Sequence, residues 1–262
     1  MKVIILAAGM GTRLGKYTEN MPKGMLQFNG KSLIERQVEV LRSCGINGIV
    51  IVRGYMPDKI KITGVKYYEN KDYMNTNMVE TLFAAEKEMN SEIIVCYSDI
   101  IYQKNVLRKV IASKADIGVT VDEDYWDYWK SRLDNPQDDT ESLVIQNGYI
   151  IELGDTNCGM EKANVRYVGL IKFSKKGVEV LKKVYHENKE RFYDKNEPWL
   201  CSKSFKKAYM TCMLQAIINS GHKVKPIKIS RGWLEFDTTE DYEKYNQWIK
   251  DETLGRFFDF NK

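Results

Sequence analysis

The chain has no CxxC pair, and its five cysteines, at positions 44, 96, 158, 201 and 212, are odd in number and widely spaced. Neither a disulfide framework nor a zinc knuckle is indicated, so they read as reduced, mostly buried thiols. Also missing is an apolar run of about 20 residues, the length a membrane span needs. The first residues offer one lysine and KVIILAAG before polar residues begin. That falls short of a signal-peptide pattern, so a cytoplasmic protein without a membrane partner is expected. No charge of one sign dominates either: 40 basic and 36 acidic residues leave a net +4. Such a balance does not mark a nucleic-acid binder and makes any basic function local. What is present is ample for a core, since 43% of 262 residues are hydrophobic. A single globular unit spanning 1–262 with additions is the simplest organisation.

Lys2 to Leu6 is a continuous apolar run ending at Ala7, Ala8 and Gly9, which suits a strand buried on both faces. Ser32 and Glu35 make a capping box, and Leu33, Ile34, Val38 and Leu41 keep helical spacing until Gly45 stops the helix. Strands are predicted at Gly48 to Val52, Val65 to Tyr68 and Glu92 to Tyr97, with a helix from Met78 to Met89. This alternation predicts an α/β fold with a mostly parallel sheet and right-handed crossovers. Ligands in such sheets collect beyond the carboxyl ends of the strands, where the Gly-rich loop and Asp99 both lie.

After Val121 the segment DEDYWDYWKSRLDNPQDDTES is rich in acids and aromatics and shows no helical or strand period. It reads as a long surface insertion, about 122–165 when the following hairpin is included. Asn147-Gly148 between apolar alternations predicts that hairpin over Leu143 to Leu153. Arg166 to Phe173 reads as a further strand, and together these fit an antiparallel extension of the sheet. Helices at about 175–191 and 205–219, a strand at Lys223 to Ile229 and a last helix from about Thr239 complete the chain. The aromatic tail at Phe257, Phe258 and Phe260 could dock on its own core or on a neighbour, and oligomeric state is not legible.

The stretch GMGTRLGK after the first strand invites a phosphate-binding reading, because glycines let backbone N–H groups approach phosphate oxygens closely. A Walker A loop needs four residues between its glycines and then Lys-Ser/Thr. Here Gly9 and Gly15 enclose five, and Tyr17 follows Lys16. A dinucleotide fingerprint needs a small residue where Leu14 stands and an acid near the end of the second strand, where Arg53 sits. A glycine turn of no further meaning leaves Arg13 and the Pro22-Lys23 dipeptide unexplained.

The whole stretch LAAGMGTRLGKYTENMPKGM resembles the signature of the nucleotidyltransferases, also called sugar-nucleotide pyrophosphorylases: LAAG-x-G-T/S-R-L followed by a PK dipeptide. The resemblance continues at Ser98-Asp99, at Arg166 to Ser174 and at Gly232 to Asp237, and it is closest to the phosphocholine cytidylyltransferase-like branch. It implies a three-layer, Rossmann-like nucleotidyltransferase fold of the glycosyltransferase-A type. It further implies a reaction in which an acceptor phosphate attacks the α-phosphorus of a nucleoside triphosphate, CTP favoured, and pyrophosphate leaves. By the same resemblance, Leu6, Ala8, Gly9, Met10, Gly11 and Thr12 hold the nucleotide together with Ser98. Arg13 reaches the β- and γ-phosphates, and Lys23 neutralises charge near the α-phosphate. Asp99 and Asp237 are implied as Mg²⁺ ligands. A helix N-cap is a second reading for Asp237, because Thr238 and Thr239 follow it. The base would rest against Tyr73 to Asn77, with Thr76 and Asn77 reading its edge, although such residues are equally ordinary turn and capping residues. An ionised phosphate nucleophile needs no general base, so His186 and His222 have no assigned role.

The acceptor is implied to be a small phosphorylated molecule. Trp126 and Trp129 beside carboxylates would suit a cationic amine through cation-π contacts, and Arg132 and Arg166 could meet the acceptor phosphate. The other reading of this segment is a solvated flap whose aromatics pack on the core. A phosphorylated amino acid or aminophosphonate is as compatible as choline phosphate. Two alternatives stand beside the cytidylyltransferase: a sugar-1-phosphate nucleotidyltransferase using UTP, GTP or TTP, and an inactive nucleotide-sensing regulatory subunit.

Overall fold

The apolar run at the start of the chain forms β1 (Lys2–Ala7), with Val3, Ile4 and Ile5 wholly buried. The computed structural model describes residues 1–262. A 3-10 segment (Thr12–Tyr17) follows the Gly-rich loop, and β2 (Gln27–Phe28) and β3 (Lys31–Ser32) form a small hairpin leading into α1 (Leu33–Ser43). The expected capping box is present: Glu35 N donates to the Ser32 hydroxyl at 3.2 Å, and Ser32 N donates to the Glu35 carboxylate at 2.7 Å. Next come β4 (Ile49–Arg53), β5 (Lys66–Glu69) and α2 (Met78–Phe83), the last shorter than the sequence predicts because the chain tightens into a 3-10 turn at Glu86–Glu88. Then β6 (Ile93–Tyr97) ends just before Ser98 and Asp99. The stretch from Ile100 onward, unassigned above, supplies β7 (Ile100–Tyr102), α3 (Lys104–Ala112) and β8 (Ile117–Asp122).

The acidic-aromatic segment is not a structureless flap at its start. Tyr125–Arg132 is a helix, α4, and Tyr125, Tyr128, Trp129 and Arg132 are its buried face. Those positions have the i, i+3, i+4, i+7 spacing of an amphipathic helix. The period is carried by tyrosines, a tryptophan and an arginine, so aliphatic patterning does not reveal it. The Asn147-Gly148 hairpin forms as predicted, with φ of 53° and 78° at the two turn residues, the left-handed pair of a type I′ turn. Its strands, β9 (Leu143–Gln146) and β10 (Tyr149–Leu153), make a separate two-stranded ribbon rather than joining the main sheet. One backbone bond, Ile150 N to Val224 O at 2.8 Å, ties the ribbon down.

The remaining elements are β11 (Arg166–Phe173), α5 (Lys175–Phe192), α6 (Met210–Asn219), β12 (Lys225–Ile229), β13 (Trp233–Glu235) and α7 (Thr239–Lys250). The central sheet has seven strands in the order β12-β8-β11-β6-β1-β4-β5. All neighbours are parallel except those of β11, which runs antiparallel to β6 and to β8. The α/β fold with a mostly parallel sheet is therefore as expected, with the antiparallel member set inside the sheet. A single cluster of 72 buried residues runs from Val3 to Phe258 and takes in Tyr125, Tyr128 and Trp129, so α4 belongs to the same core. Of the cysteines, only Cys96 and Cys212 are buried, Cys44 and Cys158 are half-buried, and Cys201 is exposed. Phe257 and Phe258 pack on the chain's own core. No helix is long and apolar enough to cross a membrane.

One small element decides where the chemistry sits. β7 and β13 pair antiparallel, with Ile100 opposite Glu235, Ile101 opposite Leu234 and Tyr102 opposite Trp233. Phe236 N then donates to Asp99 O at 2.9 Å. The residue entering β7 and the residues leaving β13 therefore emerge side by side, although they are far apart in sequence. Leu234, wholly buried, anchors this ribbon in the core. Leu234→Ala is expected to lower the unfolding free energy by about 2–5 kcal/mol in urea denaturation. A loss below about 1 kcal/mol would mean that the ribbon is not part of the cooperative core.

Candidate active site

The loop after β1 is shaped by its contact with Lys23. Gly11 has φ 70°, and a Cβ there would lie 2.8 Å from the Lys23 Cβ, so neither the backbone conformation nor the space accommodates a side chain. Leu14 is wholly buried and pins the 3-10 segment that carries Arg13. Pro22 starts the next 3-10 turn, and Gly24 lets that turn press on α1, since a Cβ there would meet Ile34 Cδ1 at 2.6 Å. The glycines and the PK dipeptide thus serve one end: they bring the Lys23 side chain under the loop.

The Lys23 ammonium lies 2.8 Å from Asp99 Oδ2 and 2.7 Å from Asp237 Oδ1. Arg13, on the exposed side, reaches the same Asp237 oxygen at 3.0 Å. The four residues named from the sequence therefore converge. Asp237 is not a cap; Thr238 is the N-cap of α7, in a capping box with Asp241. Burial opposes the charge on Lys23, but Asp99 and Asp237 outweigh it and hold its pKa above the ordinary lysine value. Burial likewise works against an ionised Asp237, yet Lys23, Arg132 and Arg13 keep its carboxyl well below the usual range. Asp99 Oδ1 is buried with no hydrogen-bond partner.

Arg132 and Trp129 are placed elsewhere than the sequence reading put them. Arg132 is nearly fully buried and its fork is filled. Nε and Nη2 grip the two Asp241 oxygens at 2.7 and 2.8 Å, Nη1 binds Glu235 at 2.8 Å, and Nη2 reaches Asp237 Oδ2 at 3.2 Å. Arg132 braces the acidic residues from behind, spends four of its five N–H donors on them and does not line the cleft, so it is not placed to meet an acceptor phosphate. Trp129 is wholly buried and carries the Arg132 and Arg166 guanidinium groups at 4.6 and 4.3 Å from its ring centroid. It offers no face to a ligand amine. Trp126 is half-buried, packs edge-on against Tyr125 and does not line the cleft. Of the four acceptor residues expected, only Arg166 lines it.

Two connected hollows meet at Lys23 and Asp99. The smaller is lined by Leu6, Ala8, Gly9, Ser98, Tyr73, Thr76 and Asn77, residues the sequence reading named, and also by Met78, Thr81 and Tyr97. Asn70 organises this wall, donating to the Thr76 and Thr81 hydroxyls at 2.9 and 3.0 Å. Asn77 is the N-cap of α2, its Oδ1 accepting from Met78 N, so the capping reading holds for it, and its Nδ2 donates to Lys207 O at 3.4 Å. The larger cleft, of about 680 Å³, runs past Gly11, Thr12 and Arg13 to Arg166, Tyr167 and Gly154. That volume is ample for a small-molecule substrate pair. Met10 is exposed on the loop and lines neither hollow.

The cleft also contains acids that sequence reasoning missed. Asp139, Glu235 and Asp237 place carboxylate oxygens within 4.8 Å of one another. Burial and the neighbouring Asp237 charge push the Glu235 carboxyl upward, against the pull of Arg132 and Arg166. Glu235 lies within the Gly232 to Asp237 stretch that carries the resemblance and is findable there. Asp139 and Glu141 sit in an acid-rich run that looks like solvated surface.

The profile of the MobA-like NTP transferase domain matches residues 3–212. Arg13, Lys23, Asp99 and Arg166 fall inside that segment and Asp237 beyond it. The chain belongs to this family of nucleotidyltransferases. A CTP:phosphoglutamine cytidylyltransferase from Campylobacter jejuni is 35% identical over 255 residues, 93% of this chain and 98% of the relative. A choline-phosphate cytidylyltransferase from Streptococcus pneumoniae is 38% identical over 112 residues, 41% of this chain and 48% of that protein. Among solved structures, the CTP:phosphocholine cytidylyltransferase from Streptococcus pneumoniae superposes with a TM-score of 0.71 at 24% identity, covering 95% of this chain and 98% of that one, and has the same fold.

A carboxyl held below its ordinary value of 3.8 stabilises the folded state at neutral pH, and that contribution vanishes as the pH falls toward the folded-state value. The stability advantage of the wild type over Asp237→Asn, measured by urea denaturation, is therefore expected to be full at about pH 6 and to shrink below about pH 4. An advantage that stays constant down to about pH 3 would show that the ion cluster does not hold Asp237 charged.

Proposed function

We propose that this nucleotidyltransferase moves CMP from CTP to a small phosphorylated acceptor that bears an amine or is amino-acid-like, and releases pyrophosphate. The observation that supports it most is the convergence of Arg13, Lys23, Asp99 and Asp237 at one point, in a chain related along nearly its whole length to a CTP:phosphoglutamine cytidylyltransferase. Retention of all four residues argues against a regulatory subunit without activity. The reaction belongs where CTP is made, in the cytoplasm.

Bringing the acceptor phosphate to the triphosphate sets anions against one another. Two unit charges 4 Å apart interact by roughly 4 kcal/mol at an effective dielectric of 20, so positive charge must be in place first. The backbone of Ala8 to Thr12 cradles the phosphates, and the base enters the smaller hollow beside Ser98, Thr76 and Asn77. Arg13, exposed and tethered by one contact, turns from Asp237 to the β- and γ-phosphates, which its planar fork suits. Lys23 stays beside the α-phosphate and neutralises charge as the acceptor oxygen bonds to the α-phosphorus and the bond to pyrophosphate breaks. No proton has to be removed from an ionised phosphate nucleophile.

The residues present also fit a divalent ion. Asp99 and Asp237 supply hard oxygen ligands around a spot that already attracts a cation, and Asp99 Oδ1 lacks a partner. In the Asp139, Glu235 and Asp237 group two guanidinium groups, Arg132 and Arg166, lie against the oxygens, whereas between Asp99 and Asp237 an ion would take the place of the single Lys23 ammonium. A Mg²⁺ held by Asp99 and Asp237 would supply further charge stabilisation to the phosphates.

Pyrophosphate release assayed with CTP, UTP, GTP and TTP is expected to be greatest with CTP. Lys23→Ala and Asp99→Asn should each lower turnover by about 10²–10³-fold. Preference for UTP, GTP or TTP with a sugar 1-phosphate would transfer the site to the sugar-nucleotide alternative. Full turnover by Lys23→Ala would remove that residue from the chemistry.

A further inference from the structure

Five carboxylates line the larger cleft: Asp99, Asp139, Glu141, Glu235 and Asp237. Four of them have a basic partner, Asp99 and Asp237 in Lys23, Glu235 in Arg132, and Asp139 in Arg166 at 3.6 Å. Glu141 forms no hydrogen bond and no ion pair, although it is half-buried on the cleft wall. Burial pushes its carboxyl upward, with Arg166 pulling the other way. A half-buried carboxylate without a protein donor is free to accept hydrogen bonds from a ligand that brings them.

Arg166 provides an independent sign of a ligand. It is nine-tenths buried and lines the same cleft; its Nη1 donates to Asp139 O at 3.0 Å, but its Nη2 has only long ion-pair contacts, 3.6 Å to Asp139 and 3.9 Å to Glu235. An unpaired acid and an incompletely paired base on one wall suit a molecule carrying both charges. Trp129 offers no face to a cation, since its ring is wholly buried and already carries the Arg132 and Arg166 guanidinium groups, and the aromatic residues on the cleft wall are the tyrosines Tyr97, Tyr167 and Tyr209. A quaternary ammonium has no N–H to give, so it would leave Glu141 without a hydrogen bond and find no tryptophan cage in return.

We infer that Glu141 determines acceptor specificity by accepting hydrogen bonds from an N–H-bearing ammonium group of the acceptor, while Arg166 meets an anionic group of the same molecule. The acceptor is then a zwitterion with a primary or secondary amine, such as a phosphorylated amino acid or amino alcohol, and a trimethylammonium acceptor is a poor substrate. The inference rests on the cytidylyltransferase reading above and narrows it.

The test compares kcat/KM at saturating CTP for phosphoethanolamine, O-phosphoserine and phosphoglutamine with that for phosphocholine and glycerol 1-phosphate. At least one N–H-bearing acceptor is expected to exceed phosphocholine by about tenfold or more, because a site built to accept hydrogen bonds rejects analogues lacking the donor. Glu141→Gln should raise KM for that acceptor about tenfold or more and erase most of the preference. Its KM for CTP should be unchanged, which reports intact folding, and Glu141→Asp should recover part of the loss. Phosphocholine used as well as the best N–H-bearing acceptor would overturn the inference while leaving the cytidylyltransferase reading in place. So would Glu141→Gln with an unaltered acceptor preference, or with CTP binding weakened as much as acceptor binding. Failure of every acceptor to yield a CDP-linked product would overturn both.

Discussion

The Lys23 ammonium, held between the carboxylates of Asp99 and Asp237, is the contact to which the rest of the site is fitted. Three separate parts of the chain meet there: the turn after β1, the end of β6 and the exit from β13. Each is fixed by its own local device. Gly11 and Gly24 allow the backbone to close around the lysine stem, the β7–β13 ribbon aligns the two acids, and Arg132 with Asp241 holds Asp237 from behind. The cluster alternates sign from the buried Asp241 outward to the exposed Arg13. Such an arrangement keeps every charge paired in a poorly solvated place, and leaves a single flexible guanidinium at the mouth.

The pairing is also poised for use. A buried ion pair contributes little net stability against its desolvation, so its presence here is better understood as preorganisation. Positive charge sits at the cleft floor before any phosphate arrives, and does not have to be assembled during the reaction. The smaller hollow shares Lys23 and Asp99 with the larger cleft. A nucleotide in one and an acceptor in the other would therefore meet over the same ammonium.

The loop and its partners were legible in the sequence because close approach constrains residue type. Only glycine fits at 11, and the PK dipeptide has no other reason to follow. The parallel strands were legible from their apolar runs, as was the I′ hairpin from Asn147 and Gly148. The antiparallel run of β11 was expected, but its place inside the sheet, and the separation of the hairpin from it, stayed hidden, because both depend on pairing between distant segments. Helix α4 was hidden for a different reason. Its buried stripe consists of Tyr125, Tyr128, Trp129 and Arg132, residues whose polar ends make them read as surface until the partners that satisfy them are in place. Trp129 looked like a ligand platform for the same reason, and Glu141 looked like solvent-facing acid because no sequence pattern reports the absence of a counter-charge.

Because Asp237 reaches the site only through β13, which follows every other part of the cleft in the chain, the cleft is incomplete until synthesis has passed Asp237. A nascent polypeptide halted before Trp233 could fold the nucleotide loop and β6, yet Lys23 would face Asp99 alone, and β7 would be left without its strand partner. Termination before β13 would thus leave the loop and β6 without the second carboxylate, so that the ion cluster is completed only as Asp237 leaves the ribosome.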